Sequence, residues 1–239
     1  MRALALYARR ADASPFIGLQ APLCQIRVSD VWQQPGQREG IGRALIARAQ
    51  AQADGYDYLS VSFGYTETLW RFWQQCGFVL VRLGSHREAS SGCFTAMALL
   101  PLTASGQALC AHEQQRLARD LPWLAHWREE KLSLPVVQAS TLNEEDWLEL
   151  AGFAFAHRPL SAACGALSRL LQNSRLPLAA LRGQLTEGES EQAVCQRLSL
   201  HGRKALLIQQ RHEAALALQQ LDAQRTNTLK ERVQKLQFF

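Results

Sequence analysis

Seven residues, Gln37-Arg-Glu-Gly-Ile-Gly-Arg43, carry the clearest chemistry in the chain. Gly40 and Gly42 lack a Cβ and let the backbone approach a ligand closely. A helix that starts at about Ile41 presents its first N–H groups unpaired, with the positive end of its dipole behind them. Gln37, Arg38, Glu39, Gly40, Ile41, Gly42 and Arg43 therefore read as a cradle for a pyrophosphate-like anion. A plain strand-to-helix turn has the same look in sequence. The dinucleotide-binding pattern is not completed, since no third glycine follows Gly40-x-Gly42, and no G-x-x-x-x-G-K-[ST] run occurs.

The elements that must position this turn follow from hydrophobic period. Ala3 to Ala8 and Cys24 to Trp32 read as strands ahead of it, and Ile41 to Ala53 as a helix with Ile41, Leu45, Ile46 and Ala49 on one face. Tyr58 to Phe63 is a strand by alternation. Thr66 starts a helix with a bulky stripe of Leu69, Trp70, Phe72 and Trp73, closed by Gly77. Phe78 to Leu83 and Cys93 to Leu100 are two further strands around a polar loop, Gly84 to Gly92. This is an α/β (α+β) layered unit. After Leu102 the period is almost entirely helical, which sets a domain boundary there. Helices are expected at about Ser105 to Glu130, Glu144 to His157, Leu160 to Asn173 and Glu189 to Leu198, with one long helix or a pair from Arg203 to Leu236. Thr141-Leu-Asn-Glu144 reads as a capping box. Trp123, Trp127 and Trp147 fit helical core stripes.

The composition, 47% hydrophobic and 20% charged, is that of a globular protein and argues against disorder. No run reaches the roughly 18 apolar residues of a spanning helix, and the apolar start before Arg9 and Arg10 is too short for a signal peptide. The expectation is a cytoplasmic protein without a membrane partner. Cys24, Cys76, Cys93, Cys110, Cys164 and Cys195 show no C-x-x-C pair and no histidine at ligand spacing, so they read as reduced, mostly buried thiols with no metal site. From Arg197 to Lys235 eight basic residues face three acidic ones, an excess equal to the whole net charge of +5. A helical face of this kind can neutralise phosphates, and a solvated helix surface looks the same.

The order strand, Gln37-to-Arg43 turn, helix, strand, and then Leu69-Trp-Arg-Phe-Trp-Gln-Gln-Cys-Gly-Phe78, resembles the acetyl-CoA-binding core of the GNAT acetyltransferases. Their loop reads Q/R-x-x-G-x-G/A and their later helix ends in G-F. Three further stretches, from Asp57 to Thr66, from His86 to Pro101 and from Asp146 to Leu160, are similar to the bacterial tRNA(Met) cytidine acetyltransferases, a likeness that runs from about Gln37 to Phe239. The resemblance implies a truncated GNAT acyl-CoA N-acyltransferase domain over residues 1–102 and a helical tRNA-binding domain over 103–239. It also implies acetyl transfer from acetyl-CoA to N4 of the wobble cytidine of elongator tRNA(Met). That family carries an ATP-driven helicase-like module upstream, but only 36 residues precede Gln37 here. The expectation is thus a chain without an ATP site, whose uncovered sheet edge seeks a separate helicase-module polypeptide or a second copy of itself.

By the same resemblance the Gln37-to-Arg43 turn would cradle the coenzyme's pyrophosphate, while Asp30, Val31 and Trp32 would lie along the pantetheine and offer a backbone N–H to the developing oxyanion. The exocyclic amine of cytidine is a weak nucleophile, so a base must take its proton, and His86, Glu88 and Glu67 are the candidates in that order. Many GNAT enzymes place a tyrosine four residues before the G-F glycine to protonate the leaving thiolate. Trp73 stands there, and an indole is no acid at neutral pH, so Tyr65 or a water would substitute. Thr68 and Gln75 occupy places where bacterial relatives carry Glu and Arg as cofactor contacts. Arg203, Lys204, Arg211, Arg225, Lys230 and Arg232 would contact tRNA phosphates. Two alternatives stay open: a noncatalytic RNA-binding scaffold, and an acetyltransferase for a protein or small amine.

Overall fold

Alternating apolar segments pair into a single antiparallel sheet. β1 (Leu4–Arg9), β2 (Cys24–Val28), β3 (Tyr58–Gly64), β4 (Val79–Arg87) and β5 (Phe94–Pro101) lie in the order β2-β1-β3-β5-β4. The computed structural model describes residues 4–9, 24–28, 41–87, 92–124 and 137–235. Expectations for Asp30, Val31, Trp32, Gln37, Arg38, Glu39, Gly40, Glu88 and Trp127 lie outside the described residues. The chain divides into two compact units, Met1–Leu117 and Ala118–Phe239.

In the first unit the alternation of β3 puts Leu59, Val61 and Phe63 on one buried face, opposite Leu100, Ala98 and Ala96 of β5, all of them buried. Two helices flank β3 in the chain: α1 (Ile41–Gln52), with Ile46 and Ala49 buried, and α2 (Glu67–Gln75). Phe63 meets Trp73 of α2 with ring centroids 6.1 Å apart, so α2 covers that face. The opposite face meets the next helix, α3 (Ala104–Asp120), whose Cys110 and Leu109 pack with Tyr58, Val81 and Leu99.

Thr66 caps α2 by accepting from the Leu69 amide at 3.2 Å. At the other end Gly77 takes φ 88°, in the left-handed region, and the Phe78 amide returns to the Trp73 carbonyl at 3.1 Å. Both ends agree with the sequence reading. The third boundary does not. β4 continues through Gly84 to Arg87 where a loop was expected, because it stays paired to β5 as far as Arg87 opposite Phe94, across register shifts. Gly84 makes that pairing possible: a Cβ there would collide with the Thr95 hydroxyl.

The second unit is helical: α4 (Glu144–Phe155), α5 (Cys164–Asn173), α6 (Ala179–Leu185), α7 (Glu191–Arg197), α8 (Gly202–Leu221) and α9 (Ala223–Lys235). Trp147, Leu150 and Phe153 of α4 form its centre with Leu167 and Leu170 of α5, Leu181 of α6 and Ala214, Ala217 and Leu218 of α8. Leu150, Leu167, Leu170 and Leu181 are wholly buried, each worth about 1.5–3 kcal/mol relative to exposure.

Several expected boundaries move. α3 stops at Asp120 and passes into a 3-10 turn, Leu121–Trp123, because Pro122 has no N–H with which to continue the helix. The expected Leu160 to Asn173 helix is a 3-10 turn, Leu160–Ala162, followed by α5. The long tail helix is the pair α8 and α9, parted at Asp222, where the backbone extends (φ −160°). The capping box is built by Asn143 and Asp146, not Thr141 and Glu144: Asn143 Oδ1 accepts from the Asp146 amide at 2.9 Å, and Asp146 Oδ2 accepts from the Asn143 amide at 3.0 Å. α6 was not expected at all. Among the cysteines whose side chains are described, Cys110 is buried, while Cys76, Cys93, Cys164 and Cys195 are half-buried and outside any disulfide.

Candidate functional site

β2 and β3 both run antiparallel to β1, so they point the same way, and α1 is the crossover between them. The first turn of α1 meets the last turn of α2. Ile41, Gly42 and Arg43 form that first turn of α1, which carries no carboxylate. The N–H groups that a helix leaves without an intrahelical partner at its start, beside one guanidinium, fit a diphosphate. The exposed Arg43 donates through Nη2 to Gln75 Oε1 at the far end of α2, which joins two of the expected cofactor contacts across 32 residues of chain. Thr68 is exposed two helical turns before Gln75, on the same face of α2 by spacing. Burial raises the Cys76 thiol above its ordinary 9.0, against the opposing charge of Arg43.

Tyr65, Glu67 and His86 lie where β3 and β4 finish. The Tyr65 amide donates to the Phe94 carbonyl at 2.7 Å, and Phe94 pairs with Arg87, next to His86 on β4. His86 thus stands on a paired strand rather than in a loop. Glu67, in the first turn of α2, is ion-paired to Arg71 one turn on, and both are exposed. An engaged, solvated carboxylate of this kind is placed as a helix-stabilising pair.

The six basic residues expected at phosphates divide by environment. Lys204 and Arg232 are exposed, and Arg203, 81% exposed, pairs with Glu191 at 3.2 Å. Arg211 is half-buried, donating to the Ala156 carbonyl at 2.6 Å with its guanidinium 5.8 Å from the Phe153 ring centroid. Arg225 lies 4.5 Å over the Trp147 ring and pairs with Glu144 at 2.6 Å, and Lys230 lies 5.6 Å over Phe155. The last three close over the aromatic residues of α4. A cavity of about 580 Å³ opens at the α7–α8 junction, lined by Cys195, Ser199, Leu200, His201 and Arg203 among others.

Sequence reasoning missed the buried ionic centre of this unit. Arg169 donates to Asp146, to Asp120 at 2.7 Å and to the Arg119 carbonyl at 3.0 Å, while Arg119 itself reaches Asp146 at 2.7 Å. Burial alone would lower the Arg169 pKa, but the bonds to Asp146 and the charge of Asp120 prevail and raise it. No helical period marks a buried arginine, so only its partners reveal it. Among the described residues no group of three His, Cys, Asp or Glu side chains could hold a metal, and no helix is long and apolar enough to cross a membrane.

Comparison with known proteins places both units. The GNAT acetyltransferase 2 family matches residues 27–103, and a tRNA-binding domain family matches residues 106–224. Over 222 residues the chain is 58% identical to the tRNA(Met) cytidine acetyltransferase TmcA of Citrobacter koseri, covering 92% of this chain and 33% of that protein. The TmcA of Salmonella typhimurium is 58% identical over 214 residues, covering 89% of this chain and 32% of the relative. For Yersinia pestis TmcA the identity is 49% over 210 residues, with 85% and 30% covered. The chain spans about a third of the length of the curated relatives it matches.

Proposed function

Since the chain belongs to the tRNA(Met) cytidine acetyltransferase family, in the portion that carries the GNAT and tRNA-binding domains, we propose that it transfers acetyl from acetyl-CoA to N4 of the wobble cytidine of elongator tRNA(Met). The observation that carries this reading is the acid-free start of α1, with Arg43 tied to Gln75 of α2. Acetyl-CoA, as substrate, supplies the thioester. Ile41, Gly42 and Arg43, continued by Gln37 to Gly40, hold its diphosphate, with Thr68 and Gln75 beside them. The backbone of Asp30, Val31 and Trp32 receives the acyl arm. Residues 1–102 make up the acetyl-transfer half and 103–239 the half that holds tRNA, a division supported by the ranges the two families match.

In the transfer, the N4 lone pair forms a bond to the thioester carbon and the carbonyl oxygen gains charge, met by a backbone N–H. The C–S bond breaks as the tetrahedral centre collapses. His86, with Glu88 next and Glu67 third, takes the amine proton, and Tyr65 or a water protonates the thiolate. The tRNA is held chiefly by Arg203, Lys204 and Arg232, whose charges face solvent, with Arg211, Arg225 and Lys230 contributing from the seam with α4. A separate helicase-module polypeptide, or a second copy docked on the sheet edge, completes the assembly in the cytoplasm.

The test is direct. Incubation with acetyl-CoA and unmodified tRNA(Met) yields N4-acetylcytidine, read by mass spectrometry of the digested RNA. Acetylation of small amines with untouched tRNA would overturn the substrate assignment. Absence of any calorimetric signal with acetyl-CoA would leave a noncatalytic RNA-binding scaffold.

A further inference from the structure

Acetyl transfer leaves unused the cavity of about 580 Å³ where α7 meets α8, although its size falls within the roughly 300–1,000 Å³ of small-ligand sites. Its walls follow from the way the chain turns between the two helices. Ser199 at φ 54° and Gly202 at φ 84° both hold the left-handed region, and the Leu200 amide donates back to the Cys195 carbonyl at 2.8 Å. A serine seldom takes that conformation, and strain of this kind gathers at sites of function. The turn sets Cys195 and Leu200 as an apolar floor, since both pack against the buried Ala180, Val194 and Leu206.

Polar groups surround that floor. Gln192 and Gln196, exposed on α7, carry amides that both donate and accept. His201 adds an exposed flat ring, and Arg203 a guanidinium that pairs with Glu191 at 3.2 Å. Lys204, the next residue, is exposed as well. A phosphate by itself has no use for an apolar floor, and an apolar ligand has none for amides and cations. An unstacked nucleobase with its phosphate uses both: the base lies against a flat side chain with its edge hydrogen-bonded, and cations meet the backbone. Resting on the reading that residues 103–239 hold tRNA, we propose that this cavity takes one unpaired base of the bound RNA, stacked on His201 with its edge met by the amides of Gln192 and Gln196. This half of the chain then grips RNA by a base as well as by phosphates.

The probes are an oligocytidylate of about eight nucleotides and an abasic strand of the same length and charge, each measured against the full chain by fluorescence anisotropy. The wild type should hold the strand with bases roughly fivefold or more tightly, the worth of one stacked base. His201→Ala should erase that preference, while His201→Phe, which keeps a ring and removes both ring nitrogens, should retain it. His201 is exposed, so both variants should melt as the wild type does. In the unaltered protein, saturating tRNA(Met) should shield the half-buried Cys195 thiol from iodoacetamide, read peptide by peptide by mass spectrometry, and the abasic strand should not. Equal affinity for the two strands, a His201→Ala variant that keeps the preference, a His201→Phe variant that loses it, or a Cys195 thiol labelled as fast with tRNA as without overturns the inference. A chain that binds no tRNA at all overturns the tRNA-holding reading itself, and the inference falls with it.

Discussion

Arg169 grips both carboxylate oxygens of Asp146, Nε to Oδ2 at 3.1 Å and Nη2 to Oδ1 at 2.5 Å, with the arginine side chain only 2% exposed. The same carboxylate caps the amide of Asn143 at the start of α4 and accepts from Arg119. One group thus ties the end of α3, the start of α4 and the middle of α5 together. Removing it leaves a buried guanidinium short of its main partner. Asp146→Ala should therefore cost about 3–5 kcal/mol in urea unfolding of this unit. A loss below about 1 kcal/mol would show that Asp120 alone suffices to neutralise Arg169.

Arg43 has an exposed side chain and, among the described residues, bonds to Gln75, so its removal should hardly affect stability. If it faces the diphosphate, Arg43→Ala should weaken acetyl-CoA binding about tenfold or more, as expected for a charge-assisted bond. Calorimetry beside a thermal melt separates the two effects. A lowered melting temperature with unchanged affinity would assign Arg43 to structure.

The basic tail offers an internal contrast. Arg203→Ala with Lys204→Ala should weaken tRNA binding and leave the melting temperature in place. The log-log slope of affinity against salt should become shallower by about one for each phosphate no longer neutralised. Arg225→Ala should destabilise the unit by about 1 kcal/mol, since it uncovers the Trp147 ring. Filter binding at several salt concentrations, beside melts, reads both. Equal behaviour of the two variants would contradict the division.

Two thiols set an alkaline limit. Burial pushes Cys110 up to about 11 from the ordinary 9.0, with the charge of Glu113 adding to it, and pushes Cys164 to about 11 with Asp120 adding. The unfolded chain sheds these protons near 9.0, whereas the folded one keeps them until about 11. Their contribution to stability is complete below 9.0 and is lost as pH rises through that window. Cys164→Ser keeps a donor for the Leu160 carbonyl, which the thiol reaches at 3.3 Å, and does not titrate there. Its melting temperature should fall less than that of the wild type between about pH 9 and pH 11. Parallel curves would show that Cys164 does not govern the loss.

Much of the fold around the candidate site was legible because its signals are local. The Thr66 cap, the Gly77 stop and the alternation of β3 each act within a few residues, so order along the chain suffices to read them. Sequence by itself likewise determined that a mixed strand-and-helix part is followed by a helical one. Tertiary structure decided what depends on partners far along the chain. α6 is preceded by Leu178, in the left-handed region at φ 44° and with no side-chain cap to offer. Its amides are taken instead by Glu213 of α8, which accepts from Ala180 at 3.0 Å and from Leu181 at 3.0 Å. The same holds for Asp146 displacing Thr141 and Glu144 as the capping pair, for Arg225 settling on Trp147, and for β4 extending past Gly84 along β5. In each case a buried polar or aromatic group takes the partner that the fold brings to it, and spacing along the chain carries no record of that choice.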